Sequence, residues 1–406
     1  MSRNILVAVA WPYANAEIHV GNITGAYLPA DIFARYQRLR GNRVLMVSGS
    51  DAHGTPIMVR ADAEGKSAQQ VYEYHHQRFL DLFQKIGLTY DLFTTTHSEN
   101  HFMVAQSIFN RLLENGYLYQ ETEEQWYSPQ EKRFLPDRYV EGTCYLCAYE
   151  NARGDQCDGC GSILDATQLI KPRSKTGNLS LELRETEHYY LDLAKLSPQL
   201  SEYLATDKEH WRPNVIKPSR YTVEETGLHG RAITRDLDWG IPVPREGWEG
   251  KCLYVWFEAV IGYLSASIEW SKNIGKPALW QDWWYDPEAR SYYFVGKGNI
   301  PFHAVIWPAE LAGVGRLFPD DSGERLNLPF DIPANEFMNL EGDKISGSRN
   351  WAVWLDDYLD RFPPDPLRYY LAANMPETGD TDFSWREYVR RNNDELVATY
   401  GNLVHR

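Results

Sequence analysis

Buried strands alternate with amphipathic helices along the first 116 residues, and this alternation constrains the fold more than any other feature. The apolar residues 4–11 predict a first strand, residues 22–40 a helix, and residues 43–49 a second strand. Two further helices are predicted, from Ser67 to Gly87 and from Ser98 to Gly116. Such repeats form an α/β fold with a doubly wound parallel sheet, which binds ligands beyond the carboxyl ends of its strands.

The pattern is interrupted between residues 117 and 225, where strands are short and charges are frequent, and it then resumes. Later strands are predicted at 251–257, 292–295 and 332–340, and later helices from residue 258, after Pro301, and at 352–361 and 365–374. We therefore expect a sheet domain in two halves (1–116 and 226–330), an insertion (117–225), a linking segment (331–383) and a separate helical segment (384–406).

The last segment opens with a capping-box pattern, Ser384-Trp-Arg-Glu387. Its predicted helical face consists of Val389, Asn393, Leu396, Tyr400 and Leu403. Neither glycine nor proline ends the helix before Arg406, so we expect the natural chain to continue beyond that residue.

Four of the five cysteines form two Cys-x-x-Cys pairs, Cys144 with Cys147 and Cys157 with Cys160. Two such pairs separated by nine residues can supply four thiolates to one tetrahedral zinc ion. Four protein ligands leave no open coordination position, so we expect one structural zinc ion per chain. The fifth cysteine, Cys252, lies in an apolar stretch and is expected in the core.

Two short motifs at opposite ends of the α/β pattern indicate a site for a nucleoside triphosphate. The first, around His19 and Gly21, opens a helix whose free backbone N–H groups suit phosphate, and its imidazole can donate a hydrogen bond. The second, Lys344-Ile-Ser-Gly-Ser348, brings a cation and hydroxyl groups on a loop. Alone, the motifs are typical of a capped helix and a solvated loop, but together they predict a phosphate clamp.

The charge and composition exclude several classes of protein. A net charge of −15 argues against general electrostatic affinity for nucleic acid, although a local path for RNA is compatible with it. No stretch of apolar residues is long enough for a membrane span, so we expect no membrane among the partners. Because the net charge is strongly negative, we also expect no DNA among them. The clustered cysteines and the absence of a secretory signal pattern favour a cytoplasmic location.

The chain resembles the class I aminoacyl-tRNA synthetases and, among them, the methionyl-tRNA synthetases. The resemblance covers essentially all 406 residues. It rests on Pro12-Tyr-Ala-Asn15, His19-Val-Gly-Asn22, Arg35-Tyr-Gln-Arg38, residues 50–57, the cysteine pairs, residues 238–243, Tyr254-Val-Trp256, Phe302-His303, Trp307-Pro308 and residues 344–349. It implies a Rossmann-like class I synthetase catalytic domain with a zinc-knuckle insertion and the start of an anticodon-binding helical bundle.

The implied activity is that of a methionine–tRNA ligase. L-Methionine and ATP, with Mg²⁺, give methionyl-adenylate and pyrophosphate, and methionine is then transferred to tRNA(Met). The residues that the resemblance implies as catalytic are His19, Asn22, Lys344 and Ser348. Those implied for ATP are Pro12, His19, Gly21, Asn22, Lys344, Ile345 and Ser346. Those implied for methionine are Trp11, Tyr13, Asp51, Trp256, Ala259, Val260, Tyr263, His303 and Trp307, with Asp51 on the ammonium group.

The chain departs from the family pattern at three positions near the nucleotide. Asn22 replaces a frequent histidine, Gly347 replaces a second lysine, and Gly298 stands where a Gly-Lys-Asp turn brings a carboxylate. Arg349 is a candidate replacement for the missing lysine. These departures concern the rate more than the reaction, and Trp11 and Val260 similarly differ from the residues expected in the pocket.

Three alternatives stay open at this point, of which one is an adenylating enzyme that feeds an acceptor other than tRNA and would show pyrophosphate exchange without aminoacylation. Another is an enzyme of the same fold for another amino acid, such as a cysteinyl or leucyl synthetase. However, all four thiolates of the paired cysteines are used in the knuckle, and residues 117–225 are too few for a leucyl-type editing insertion. The third is a synthetase-derived RNA-binding or scaffold protein without catalysis, which His19, Asp51 and Lys344 argue against.

Overall fold

The computed structural model describes residues 2–136, 139–154, 157, 159–160, 164–175, 180–347 and 349–406. In its first part strands and helices alternate: β1 Asn4–Val9, α1 Val20–Asn22, α2 Leu28–Leu39, β2 Arg43–Ser50, α3 Thr55–Glu64, α4 Ala68–Lys85, β3 Leu92–Thr95 and α5 Glu99–Glu114. A π-helical segment, Ile23–Tyr27, joins α1 to α2 without a break.

The middle of the chain contains two long strands, Leu118–Ser128 and Glu182–Leu191, for which the prediction of short strands is wrong, together with several short strands and two further helices before the long helix α8. The elements are β4 Leu118–Ser128, β5 Arg133–Phe134, β6 Val140–Thr143, β7 Ala152–Arg153, β8 Ile170–Ser174, β9 Glu182–Leu191, α6 Leu193–Ala205, α7 Pro213–Tyr221, β10 Arg231–Ala232, β11 Thr234–Arg235, β12 Cys252–Leu253 and α8 Val255–Asn273.

The last part returns to the central sheet and then forms a small mixed unit. Its elements are α9 Gln281–Trp284, β13 Arg290–Gly296, α10 Trp307–Val314, β14 Ala334–Asn335, β15 Met338–Leu340, β16 Asp343–Lys344, α11 Leu355–Leu359, α12 Pro364–Ala373, β17 Thr381–Phe383, α13 Trp385–Arg391 and α14 Asn402–His405. π-Helical segments at Phe302–Ile306 and Asn392–Gly401 precede α10 and α14.

Five parallel strands form the central sheet in the order β14-β13-β1-β2-β3, which confirms the predicted doubly wound parallel sheet. The central strand β1 pairs on one side with β2 and on the other with β13, so that Ile5 lies opposite both Val44 and Arg290. The chain therefore leaves β1 in one direction and returns to its other side much later. This reversal opens a crevice at the carboxyl end of β1, where ligands of such sheets bind.

Two smaller sheets lie between the halves of the central one. An antiparallel sheet has the order β10-β9-β4-β5, and a three-stranded sheet, β7-β6-β8, has its own small core that includes Tyr139, Cys144 and Cys157. Helix α6 belongs elsewhere, since its leucines, including Leu196 and Leu200, are buried in the core of the central sheet.

The prediction of one strand over 251–257 is wrong beyond its first residues. Only Cys252–Leu253 is a strand, and it pairs antiparallel with β11 outside the central sheet. Helix α8 begins at Val255 and is buried on nearly every side. Apolar residues therefore follow one another in its sequence without the spacing that distinguishes a helix from a buried strand. Cys252 is buried, as expected.

The predicted strand over 332–340 is two strands in two different sheets. Residues 334–335 pair with β13, whereas residues 338–340 pair with β16 and β17, because the chain changes direction at Glu336 and Phe337. The capping box at Ser384 is also not formed: Ser384 occupies the N-cap position, but its side chain accepts no capping hydrogen bond. Within the part of the chain that the structure describes, no helix combines the length and apolar character that crossing a membrane requires.

Candidate functional site

A groove of about 540 Å³ lies at the carboxyl end of β1. Its walls are the segment after β1, the first turns of the helix that begins at Val20, the ends of β13 and β14, and the loop after β16. The sequence-predicted residues among its lining are Trp11, Pro12, Tyr13, His19, Gly21, Asn22, Lys344 and Ile345. The structure thus brings the two motifs, more than three hundred residues apart in sequence, to one groove.

His19 caps the first helix with its own side chain. Its Nδ1 accepts a hydrogen bond from the backbone N–H of Gly21 at 3.1 Å, while Oδ1 of Asn22 accepts one from the backbone N–H of His19 at 3.0 Å. Burial lowers the pKa of His19 to about 4, so the ring is neutral near pH 7. With Nδ1 accepting, the proton lies on Nε2, where it can be donated to a ligand.

Gly21 is the point where the two motifs touch. A Cβ at this position would lie 3.0 Å from the His19 ring and 3.3 Å from Cδ1 of Ile345. Any side chain here would therefore push the ring and the loop apart. Glycine therefore favours this close approach within the protein, whereas the sequence had suggested only the approach of a nucleotide.

Lys344 ends the β15–β16 hairpin and is exposed, with its Nζ 5.8 Å from the ring centre of Phe337. Ser346 and Trp351 exchange two backbone hydrogen bonds of 2.9 Å, which close the loop that follows. Arg349 donates to the backbone carbonyl of Lys344 at 3.0 Å, so the arginine lies beside the lysine in the loop. The predicted Ser348 lies outside the described residues.

The segment after the loop is tied to the segment before His19. The backbone N–H of Val20 donates to Val353 at 3.0 Å, and that of Leu355 donates to Ile18 at 2.9 Å. Between them the Trp354 ring meets the His19 ring edge-on at 5.9 Å. The position of the loop and that of His19 are therefore mechanically linked.

Asp51 follows β2 and is almost fully buried. Its backbone N–H donates to Pro12 at 2.8 Å, and its Oδ1 accepts from the backbone N–H of His53 at 3.4 Å. Burial, and then the charge of Glu258, raise the pKa of the Asp51 carboxyl well above its ordinary range. A bound cation would relieve both penalties, which is the property expected of an ammonium-binding carboxylate.

The aromatic residues predicted for the methionine side chain form two groups of ring contacts, one around Trp256 and one around Tyr263. Tyr13 meets Trp256 edge-on at 5.9 Å, and Trp11 meets Tyr263 at 6.3 Å. The Tyr263 hydroxyl donates to Nε2 of His303 at 2.7 Å, and Nδ1 of His303 donates to the Asn299 carbonyl at 2.9 Å. Burial lowers the pKa of His303 to about 4, consistent with a neutral ring that accepts from Tyr263.

Two glycines make room for Trp11. A Cβ on Gly49 would lie 2.1 Å from its indole ring, and a Cβ on Gly262 would lie 2.6 Å from it. The indole is thus wedged between the end of β2 and helix α8. Trp307 is fully buried and donates to the Tyr293 hydroxyl at 3.0 Å, while Val260 is buried and Ala259 partly exposed on α8.

The structure adds a group of residues that sequence reasoning missed. Glu258 is fully buried between His53 and His101, directly behind Asp51. One signal was available: Glu258 is a lone carboxylate in the first turns of an otherwise apolar helix. A buried charge at such a position needs partners, and His53 and His101 are 48 residues apart in sequence, so only the fold reveals them.

The turn at Lys297–Asn299 contains Gly298, where the carboxylate of the related pattern is missing. A carboxylate nevertheless lines the same groove. Glu336 follows β14 and accepts from Lys297 at 2.7 Å, and Lys297 also donates to Asp380 at 2.9 Å. The loss at Gly298 therefore does not leave this wall of the groove without an acidic group.

The four paired cysteines come together as predicted, with their sulfur atoms within 4.8 Å of one another. Sγ of Cys147 and Sγ of Cys157 are 3.6 Å apart, close to the roughly 3.8 Å that a tetrahedron with Zn–S bonds of about 2.3 Å requires. Backbone N–H groups of Leu146 and Gly159 donate to Cys144 and Cys157 at 3.4 and 3.3 Å. The donor set fits a closed, structural zinc site.

Comparisons with known proteins agree with the geometry. The chain matches the family tRNA synthetases class I (M) over residues 5–406. A methionine–tRNA ligase of Thermomicrobium roseum is 57% identical over 406 residues, which span 100% of this chain and 68% of that protein. A methionine–tRNA ligase of Dehalococcoides mccartyi (strain CBDB1) is 56% identical and is covered to 71%.

Among solved structures, the fold is similar to that of Mycobacterium tuberculosis methionyl-tRNA synthetase bound by methionyl-adenylate. The TM-score is 0.74 at 23% sequence identity, with 100% of this chain and 71% of that chain covered. At this identity the likeness establishes the fold alone.

Proposed function

Because the chain belongs to the class I tRNA synthetases (M), the methionine–tRNA ligases, we propose that its groove carries out the activation of methionine by ATP. The methionine carboxylate attacks the α-phosphorus of ATP, the bond to the β-phosphate oxygen breaks, and pyrophosphate leaves. Methionine then passes from the adenylate to the 3′ end of tRNA(Met), with release of AMP. The observation that carries the proposal is the meeting of His19 and the Lys344 loop on one groove.

In this proposal the phosphate groups lie along the start of the first helix. The neutral His19 ring donates from Nε2 to a phosphate oxygen as charge accumulates there, and Asn22 offers its amide N–H₂, since its Oδ1 already accepts from His19. Lys344 approaches from the loop and neutralises the departing pyrophosphate. Pro12, Gly21, Ile345 and Ser346 shape the nucleotide side, with Ser348 assigned by motif alone.

The methionine would lie between Asp51 and the aromatic residues. Asp51 holds the ammonium, and the thioether packs against Trp11, Tyr13, Trp256, Ala259, Val260, Tyr263, His303 and Trp307. Thioether sulfur interacts favourably with aromatic rings, by roughly 0.3–1.5 kcal/mol for each contact. The hydrogen bond that Tyr263 donates to His303 fixes both rings and gives this apolar pocket a defined shape.

The proposed function also involves two metal ions and the segments outside the catalytic halves. Cys144, Cys147, Cys157 and Cys160 would hold one structural zinc ion, which supplies folding energy to the insertion and takes no part in the reaction. Magnesium would accompany ATP, with no protein ligand assigned to it. The insertion at 117–225, whose helix α6 packs into the core of the central sheet, and the helical segment at 384–406 would be attached to the catalytic halves at 1–116 and 226–330, with 331–383 as the linking segment.

Pyrophosphate exchange with each of the twenty amino acids tests the function. We expect methionine, and no other amino acid, to drive ATP-dependent exchange in zinc-loaded protein. Charging of tRNA(Met) with labelled methionine tests the second step. Exchange with a different amino acid would contradict the specificity for methionine. No exchange with any amino acid would contradict catalysis and favour an RNA-binding or scaffold function.

His19→Ala should lower the rate of pyrophosphate exchange by more than tenfold, because donors to developing negative charge contribute roughly 2.7–4 kcal/mol. The matched control is His229→Ala, which removes an exposed imidazole away from the groove. Single-turnover adenylate formation measures the effect directly. An unchanged rate in the His19 variant would remove this ring from the mechanism.

A further inference from the structure

Glu258 lies at the centre of a buried polar cluster behind the proposed ammonium site. Its Oε1 accepts from Nδ1 of His53 at 2.8 Å, and its Oε2 accepts from Nε2 of His101 at 2.8 Å. All three side chains have at most 1% of their surface exposed. A carboxylate in such a place is stabilised only if both oxygens are paired, and here each oxygen has its own imidazole.

The cluster joins three elements of the fold. Glu258 belongs to helix α8, His101 to helix α5, and His53 to the segment that leaves β2 immediately after Asp51. Removing the Glu258 carboxylate would leave two buried imidazoles without an acceptor. Buried groups left without a partner destabilise the fold, so the carboxylate and both imidazoles depend on one another.

Both imidazoles are held at their other nitrogen as well. Nδ1 of His101 is 2.7 Å from Oγ of Ser265, whose single hydroxyl proton can be donated either to that nitrogen or to the Gly262 carbonyl at 3.1 Å. Nε2 of His53 is 3.0 Å from Nδ1 of His97, whose ring stacks on Trp239 at 4.5 Å. Each imidazole therefore has a hydrogen-bond partner at both of its nitrogens.

His53 links this cluster to Asp51. Its ring is fixed by Glu258, and its backbone N–H donates to Oδ1 of Asp51 at 3.4 Å. The orientation of the Asp51 carboxylate thus depends on the main chain at His53, which depends on the ring, which depends on Glu258. Resting on the function proposed above, we propose that Glu258 is a positioning residue that orients the Asp51 carboxylate toward the ammonium group of the amino acid substrate without touching it.

Two ligands that each lack one polar group of methionine test this role. Methioninol keeps the ammonium group of methionine and lacks its carboxylate, whereas 4-(methylthio)butanoate lacks the amino group. In Glu258→Gln only one oxygen remains to accept, so one imidazole loses its partner. We expect the affinity for methioninol, measured by calorimetry, to fall about tenfold, and that for 4-(methylthio)butanoate to stay within about twofold.

Equal weakening of both ligands would assign Glu258 a general structural role and overturn the proposal, as would no weakening of either. Glu269→Gln is the matched control, since Glu269 lies on the same helix but accepts its hydrogen bonds from Thr94, and it interacts with His101 only through charge. It should leave both affinities unchanged.

Ser265→Ala keeps the proposal testable if Glu258→Gln does not fold. This variant removes a partner of His101 and leaves Glu258 in place, so a smaller loss of methioninol affinity, about threefold, is expected with the other ligand unaffected. If the affinities for both ligands stayed the same in Ser265→Ala, the proposal would fail. Methionine-dependent exchange by the unmodified protein is measured first, because its absence would refute the proposed function rather than the role of Glu258.

Discussion

At the scale of single residues, Glu310 is the most unusual side chain in the structure. It lies on helix α10 with no exposed surface, and neither carboxyl oxygen accepts a hydrogen bond from any residue that the structure describes. Burial raises the pKa of Glu310 well above its ordinary range, so its carboxyl stays protonated to higher pH than usual. A side chain in this state destabilises the fold.

Glu310→Met should therefore stabilise the protein, by about 1–3 kcal/mol, because it removes a buried polar group without partners and keeps the volume. A carboxyl whose pKa is higher in the folded than in the unfolded protein makes the folded protein less stable as pH rises above the unfolded pKa. The stability gained by Glu310→Met should therefore be larger at pH 8 than at pH 5. Urea unfolding at both values measures it. The exposed Glu202→Met on helix α6 is the control, and an equal gain there would contradict the explanation.

Asp51 leads to a prediction about pH and binding. Because burial and Glu258 raise the pKa of its carboxyl, the free protein takes up a proton there at a higher pH than an ordinary aspartate. The ammonium needs the ionised form, so the affinity for methionine should fall as pH decreases through this raised pKa, before ordinary carboxylates titrate. Calorimetry between pH 8 and pH 5 checks it, and in Asp51→Asn the acid dependence should disappear.

At the scale of elements, local signals predicted where most helices begin. Helix α4 follows Ser67, whose side chain accepts a hydrogen bond from the backbone N–H of Gln70. The Gln70 side chain in turn accepts one from the backbone N–H of Ser67. The same pattern at Ser384 fails to form its cap, and the run 251–257 is mostly helix rather than strand. Capping residues act within four positions, whereas burial on all sides removes the periodicity that separates helix from strand.

The cysteine knuckle is an element whose stability should depend on metal. Its core is small, with Tyr139, Val140 and Ala152 among its few fully buried residues, and such a core rarely folds alone. Chelation should unfold residues in the β7-β6-β8 sheet and leave the central sheet folded. Hydrogen exchange of Val140 and Ala152 measures the first effect, and that of Leu6 and Val7 the second.

Re-addition of zinc should restore protection in the knuckle, and replacement of Cys157 by serine should reproduce the effect of the chelator. Loss of protection throughout the central sheet would show that the two cores unfold together. Full protection after chelation would show that the cysteines support the sheet without metal.

At the scale of the whole molecule, one buried aspartate joins distant parts of the chain. Asp31 on α2 accepts from Thr89, from Arg35 at 2.9 Å, and from Arg368 on α12 at 2.7 Å. Burial alone would raise the pKa of Asp31, but the hydrogen bonds from Thr89 and Arg368 outweigh it and hold the pKa below its ordinary value. The helix α12 is thereby fastened to the first half of the sheet.

Asp31→Ala should destabilise the protein by about 1–3 kcal/mol, since it removes a buried acceptor that Thr89 shares with two arginines, whose own side chains are 47% and 18% exposed. Because the pKa of Asp31 is lower in the folded than in the unfolded protein, its carboxylate stabilises the fold at pH values above the unfolded pKa, near 4. This stabilisation is lost as pH falls through the folded pKa. The difference between the variant and the unmodified protein should therefore shrink below about pH 4. The exposed Asp360→Ala should change little at either pH.

The sequence was sufficient for the sheet class and for the meeting of His19 with Lys344 on one groove, because a helix start and a cation both suit phosphate groups. It was insufficient for the contacts that make the site rigid. The wedge of Trp11 between Gly49 and Gly262 and the pairing of Glu258 with His101 join residues far apart in the chain. No local pattern encodes such distances, so only the folded chain reveals them.

The pairing of β1 with β13 has a consequence for synthesis on the ribosome. Ile5 has its β2 partner almost at once, but its other partner, Arg290, is made only after roughly 15–60 s at about 5–20 residues per second. During that interval one edge of the nascent sheet is open and apolar, while the knuckle can already fold. A newly made chain is thus most vulnerable to aggregation, and most dependent on chaperones, between its first strand and its thirteenth.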